Sequence, residues 1–158
     1  MSKGRCGWAY VLVANDKQLA EKYGHLDSGS NNDAELEAAL QGLADMAKRR
    51  GWLTPEARNR LKVVLVSDSQ LVLGWATGKF RCKQEAKRDR IELLSSLYKD
   101  LGASSRWERG HSGNPHNERA DVLAGAARLG GEPKAKRRRG RIVCSCPCTC
   151  GARGLPAV

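Results

Sequence analysis

Apolar positions change period several times along the chain, and each change marks a different element. The run Trp8, Ala9, Tyr10, Val11, Leu12, Val13 is dense in strand-forming side chains and stops at the turn-forming pair Asn15 and Asp16. A second extended stretch follows around Leu19 to Leu26, so a β-hairpin is predicted. In SGSNNDAELEAALQGLADMAKRR, Leu36, Leu40, Leu43 and Ala47 recur at helical spacing behind Asn and Asp residues that can cap, predicting a helix from about Asp33 to Arg49. Thr54, Pro55 and Glu56 have the order of a cap and first helical turn, where proline has no N–H to lose. Val63 to Val66 predicts a buried parallel strand with Ser67 and Asp68 at its carboxyl end, followed by a helical stretch from Gln70 to Thr77. Ile91, Leu94, Leu97 and Leu101 mark a helix closing at Gly102, and Ser105 to Arg109 a short strand. After the loop GHSGNPHN comes a last helix, capped near Asn117 and stopped by Gly130 and Gly131. Helices alternating with strands predict an α/β domain over residues 1–130. Residues 131–158 carry no period long enough to pack and are expected to form a flexible tail.

Composition narrows this picture. A chain of 158 residues, 41% hydrophobic and 28% charged, is large enough for one buried core and too apolar for wholesale disorder. No stretch comes near the roughly 20 uninterrupted apolar residues that span a bilayer, and MSKGRCGW lacks the apolar core of a signal peptide. A soluble, cytoplasmic protein with no membrane partner is the expectation. The net charge of +11 is uneven: residues 1–127 hold 20 basic and 16 acidic side chains, residues 128–158 hold 8 and 1. A basic tail on a modestly basic body fits a polyanion, most simply nucleic acid. Within the tail, KAKRRRGR suits non-specific nucleic-acid binding or nuclear localisation, or is a solvated run. Cys144, Cys146, Cys148 and Cys150 crowd into CSCPCTC, spaced too tightly for most zinc sites, while Cys6 and Cys82 lie far apart. That is no disulfide framework.

Several polar residues sit where chemistry or capping could place them. Glu35 borders the face of Leu36, Leu40 and Leu43, a costly position that calls for a cation, a metal or a cap; Asn32 and Glu35 have capping-box spacing. Asp68 stands where a strand ends and a helix begins, as a ligand-binding group or an N-cap. Asp121 lies early in the last helix, where an acid complements the dipole, with only Ala124 and Gly125 one turn on. His111 and His116 occupy the loop before it, and Asn31 and Asn32 either contact a ribose or base edge or shape a turn.

Taken in order, SNNDAELEAAL, VVLVSDSQLV and WERGHSGNPHNERADVLA resemble the type 1 ribonuclease H family, over about Gly4 to Leu129. The resemblance implies a ribonuclease H-like three-layer α/β fold, a mixed sheet flanked by helices, and metal-dependent endonucleolytic hydrolysis of the RNA strand of RNA/DNA hybrids. By position, Glu35, Asp68 and Asp121 match three of the family's four carboxylate ligands for two Mg²⁺ ions, which Mn²⁺ can replace. His111 matches a catalytic loop histidine that assists proton transfer or product release. Asn31, Asn32 and Gln70 match residues that contact the hybrid's minor groove, where 2′-hydroxyls distinguish RNA. In GWATGKFRCKQEAKR, shorter than the family's basic protrusion, Trp75, Arg81, Lys83, Lys87 and Arg88 are candidate hybrid contacts, or one solvated basic helix face.

The sequence also departs from the family. The family's central first strand, which bears the first aspartate, precedes a Gly-rich stretch that MSKGRC matches, so that strand and aspartate are missing here. The expected result is two unpaired strand edges and a poorly stable sheet. A monomer is expected if the full-length protein begins upstream of Met1; a strand-complementing partner chain or a decayed gene product are the alternatives. About ten extra residues, including Trp52 and Pro55, separate the Glu35 helix from the Asp68 strand. A non-catalytic hybrid-binding module is the rival to the enzyme.

Overall fold

The computed structural model describes residues 4–131; the tail readings, from residue 132 on, lie outside them. Strands β1 (Gly4–Ala14) and β2 (Lys17–Gly29) form the expected antiparallel hairpin. Asn15 and Asp16 both take positive φ, 50° and 59°, the geometry that suits a two-residue hairpin turn. Helix α1 (Asn31–Gly51) extends the predicted helix by two residues at each end. Its box is Ser30 with Asp33: the Asp33 carboxylate accepts from the Ser30 N–H at 2.8 Å and from its hydroxyl at 2.7 Å. The Asn32–Glu35 box is therefore corrected by two positions, and Glu35 has no capping duty.

Helix α2 (Pro55–Arg60) starts at the Thr54 cap, and strand β3 (Val64–Ser67) leads to α3 (Gln70–Ala76), capped by Ser69. Helix α4 (Glu85–Asp100) precedes β4 (Ser104–Trp107), which pairs parallel with β3. Helix α5 (Pro115–Leu129) begins earlier than predicted, because Asn114 accepts from the His116 N–H at 3.0 Å and Pro115 occupies the first helical position. It ends at Gly130 with φ 71°, as expected.

The four described strands make two separate two-stranded sheets, one antiparallel and one parallel. The mixed sheet is thus present in two pieces, and β1 and β3 each have one edge unpaired among the described residues. The core divides along the same line. Leu36, Leu40 and Leu43 of α1 pack with Val72, Trp75, Ile91, Leu94 and Leu101, whereas Cys6, Trp8 and Ala34 form a smaller cluster under the hairpin. Helix α1 contributes to both. The prediction of a buried parallel strand holds for direction but not burial: Leu65 packs on the larger cluster, while Val64 and Val66 on the opposite face are 46% and 37% exposed. A strand buried on both faces needs both covered, and here one is open.

On the hairpin side, α5 lies against β1 so closely that a Cβ at Gly7 would collide with the Ala124 carbonyl. Arg119 of α5 grips Glu21 of β2 through two hydrogen bonds of 2.8 and 2.6 Å. Tyr10 of β1 donates to Asp45 of α1 at 3.0 Å; burial, with that carboxylate nearby, pushes the phenol up to about 12. No described helix is long and apolar enough to cross a membrane.

Candidate active site

Three elements deliver the three carboxylates. Glu35 comes from the first turns of α1, Asp68 from the turn joining β3 to α3, and Asp121 from the second turn of α5. The capping reading of Asp68 is overturned, because Ser69 is the cap of α3 and accepts from the Val72 N–H at 3.4 Å. The early start of α5 likewise moves Asp121 out of its first turn, beyond the strongest part of the helix dipole.

Asp68 is the electrostatic centre. Burial raises the Glu35 pKa, the Ser69 hydroxyl pulls it back, and the Asp68 charge raises it again. Burial raises that of Asp121 too, Asp68 adds to the effect, and His111 opposes it. No lysine or arginine forms an ion pair with any of the three among the described residues. Negative groups gathered this way disfavour their own ionisation and favour an added cation.

The turn carrying Asp68 is fastened by its neighbours. The Trp107 indole donates to the Asp68 carbonyl at 2.9 Å, and a Cβ at Gly110 would lie 2.9 Å from the carboxylate oxygen Oδ2. His111, 88% exposed with φ 57°, places Nδ1 3.6 Å from Asp121 Oδ2. Its loop is closed by the Asn114 amide donating to Glu108 at 2.6 Å. His111, Glu118, Asp121 and Val122 line an open cleft of about 380 Å³.

Asn31 and Asn32 stand exposed on the first turn of α1, and Gln70 exposed at the start of α3, so all three flank the carboxylates along the chain. Arg81, Lys83 and Arg88 are exposed around the start of α4. Trp75 must be corrected: at 5% exposure it is a core residue of α3 and presents no surface to a ligand. Lys87 is engaged, its ammonium 2.7 Å from Asp33. Burial pushes the Asp33 pKa up, but hydrogen bonds from Lys87 and Ser30 prevail and hold it at about 2. Ser69, Gly110 and Glu108 went unremarked in the sequence; only Ser69, three residues ahead of Val72, carried a legible signal, that of an N-cap.

The donors are hard oxygens suited to Mg²⁺ or Mn²⁺. Among the described residues, however, no three His, Cys, Asp or Glu side chains converge closely enough to hold an ion. The set fits a divalent cation in chemistry and charge and falls short in number.

The layered α/β architecture with a carboxylate cluster at the strand and helix ends is that of a ribonuclease H-like fold. The N-terminal RNase H domain of a Mycobacterium tuberculosis protein superposes with a TM-score of 0.66 at 23% identity, covering 82% of this chain and 86% of that one. RNase H1 from Halobacterium salinarum gives 0.63 at 26% identity, over 80% and 87%. LC11-RNase H1, solved in complex with an RNA/DNA hybrid, gives 0.67 at 19% identity, over 82% and 89%. The RNase H family model matches residues 1–128. A ribonuclease H of Nitratidesulfovibrio vulgaris is 34% identical over 137 residues, 78% of this chain and 79% of that protein. One of Treponema pallidum is 31% identical over 170 aligned positions, 91% and 89%. This chain belongs to the RNase H family, a family of endoribonucleases.

Proposed function

We propose that the protein is a metal-dependent endonuclease that hydrolyses the RNA strand of RNA/DNA hybrids. The observation that carries this reading is the placement of Glu35, Asp68 and Asp121 by three elements, with the Asp68 charge acting on both others and no lysine or arginine paired with any of them among the described residues. Glu35, Asp68 and Asp121 would hold Mg²⁺ or Mn²⁺, two ions by the family resemblance; when bound, they activate the attacking water and stabilise the leaving oxygen. Trp107 holds the Asp68 backbone carbonyl, and Gly110, lacking a side chain, leaves room for the Asp68 carboxylate. His111 projects into solvent beside Asp121, where its ring can take up or deliver a proton at Nδ1 and withdraw with its loop. Asn31, Asn32 and Gln70 supply amide groups to the hybrid's minor groove, and Arg81, Lys83 and Arg88 supply charge for phosphates.

The same reading has a further strand, bringing a fourth carboxylate, join the two separate two-stranded sheets. Supporting it are the unpaired edges of β1 and β3, the divided core, the exposed Val64 and Val66, and the shortfall in metal donors.

The test is incubation with a labelled hybrid and Mg²⁺ or Mn²⁺, beside EDTA and Asp68→Asn. Cleavage lost in both controls, with Asp68→Asn still binding hybrid, is the expected result. The failure of three carboxylates to converge favours one second reading, a hybrid-binding module without turnover. Salt-sensitive binding with no cleavage in either metal would establish it.

A further inference from the structure

Helix α2 has no obvious structural reason to exist. None of its residues is buried, and six residues are too few for a helix to persist in water without support. Support comes locally. The Thr54 hydroxyl accepts from the Ala57 N–H at 3.3 Å, and the Arg58 guanidinium donates back to the Gly51 and Leu53 carbonyls at 3.3 and 3.1 Å. Arg50, just before, donates to the Asp100 carbonyl at 2.5 Å and so ties the end of α1 to the end of α4. These bonds tie α2 back onto the end of α1, and between the two helices stands Trp52, 78% exposed.

The charge around this indole is one-sided. Residues 48–62 contain Lys48, Arg49, Arg50, Arg58, Arg60 and Lys62 against Glu56 alone. Three basic groups in the last turn of α1 complement its dipole, which accounts for Lys48, Arg49 and Arg50. Arg60 likewise ends α2, but Lys62 lies beyond both helices, and Arg60 and Lys62 are exposed and, like Lys48, form no ion pair among the described residues. An exposed indole within ten residues, along the chain, of three exposed cations without ion pairs matches the chemistry of unpaired nucleotides, whose bases stack while their phosphates are neutralised. Bases inside a duplex already stack on one another and offer no face to a projecting indole.

We propose that Trp52, with Lys48, Arg60 and Lys62, forms a contact for single-stranded nucleic acid, distinct from the carboxylate site. Glu35 and Trp52 bracket nearly the whole of α1, about 25 Å at 1.5 Å per residue. The contact therefore takes unpaired nucleotides that flank a hybrid held at the carboxylates. This rests on the proposed hybrid substrate.

Fluorescence anisotropy at fixed ionic strength tests it, in an Asp68→Asn background that leaves the substrate uncut. The probes are a blunt RNA/DNA hybrid and the same hybrid with a DNA overhang of about eight nucleotides, within the site sizes of stacking platforms. The overhang is expected to tighten binding roughly 10-fold; Trp52→Ala removes that gain and Trp52→Phe restores most of it. Arg60→Gln with Lys62→Gln lowers the salt slope for the tailed hybrid by roughly 1.5. Circular dichroism of Trp52→Ala should show the parent's helix content, since the Trp52 side chain is exposed and closes α1 only through its backbone N–H.

Equal affinity for both probes, or an unchanged gain in Trp52→Ala, overturns the contact while leaving the hybrid substrate standing. Binding of neither probe overturns both. A Trp52-dependent association with phosphatidylserine vesicles, with no effect of the overhang, would assign the patch to a membrane surface and overturn it equally.

Discussion

At the residue scale, function and stability oppose each other at Glu35. Its raised pKa means that the folded state prefers the protonated form, so stability is highest below the unfolded carboxyl pKa and falls as pH rises through the window up to the folded value. Glu35→Gln should therefore raise the melting temperature at pH 7, with the gain shrinking toward pH 4, while cutting hydrolysis by at least about 100-fold. Thermal scans at both pH values, paired with a hybrid-cleavage assay, check the two halves; destabilisation at pH 7 would refute the sign. Gly110 calls for a different measurement. An added methyl meets Asp68 Oδ2, the free end of a side chain, so Gly110→Ala displaces the carboxylate without disrupting the core. Activity is expected to fall roughly 10- to 100-fold at nearly unchanged stability, the scale of a small misplacement of a reacting group.

At the element scale, the tightest joint lies between α5 and β1. Gly7→Ala must push α5 outward, because the obstacle is the Ala124 carbonyl, which is backbone and cannot rotate aside. A cost of roughly 1–3 kcal/mol is expected in urea titration, with a loss of activity because Asp121 rides on the same helix. Elements were legible in the sequence wherever a period and a cap agreed. Leu36, Leu40 and Leu43 announced α1, the Asn15–Asp16 pair announced the hairpin, and Gly130 announced the end of α5. Caps themselves were read less well. Asn32 and Ser30 both precede an acid at capping distance, and only folded geometry selects Ser30. The likeness of GWATGKFRCKQEAKR to the family's basic protrusion points Trp75 at the hybrid, whereas packing with Val72 in the larger cluster carries it inward. The site was legible as three carboxylates in family order. That burial raises the Glu35 and Asp121 pKa values with Asp68 adding to both, and that Ser69 rather than Asp68 caps α3, depends on distances no sequence spacing contains.

At the scale of the whole molecule, two sheets and two apolar clusters share one helix. The larger cluster holds Leu36, Val72 and Leu94 at full burial, while the smaller has only Cys6, Trp8 and Ala34, with Tyr10, Leu26 and Ala38 packed against it. The two halves should not open together. Native-state hydrogen exchange is expected to show α1 and α4 amides protected longest, the free edge of β1 exchanging sooner and the free edge of β3 sooner still. Uniform protection across all four strands would mean that the gap between the sheets is closed in solution.

Helix α1 as the shared member also sets an order of events during folding. The hairpin and its packing on α1 use contacts within residues 4–51, close in sequence and quick to form. The parallel pairing of Val64 with Ser104 must wait until the intervening α3 and α4 have formed and docked on α1. A ribosome releasing the chain would thus expose the hairpin and α1, with Glu35 already on its helix, before α5 arrives to cover β1 and before Asp68 and Asp121 exist as neighbours.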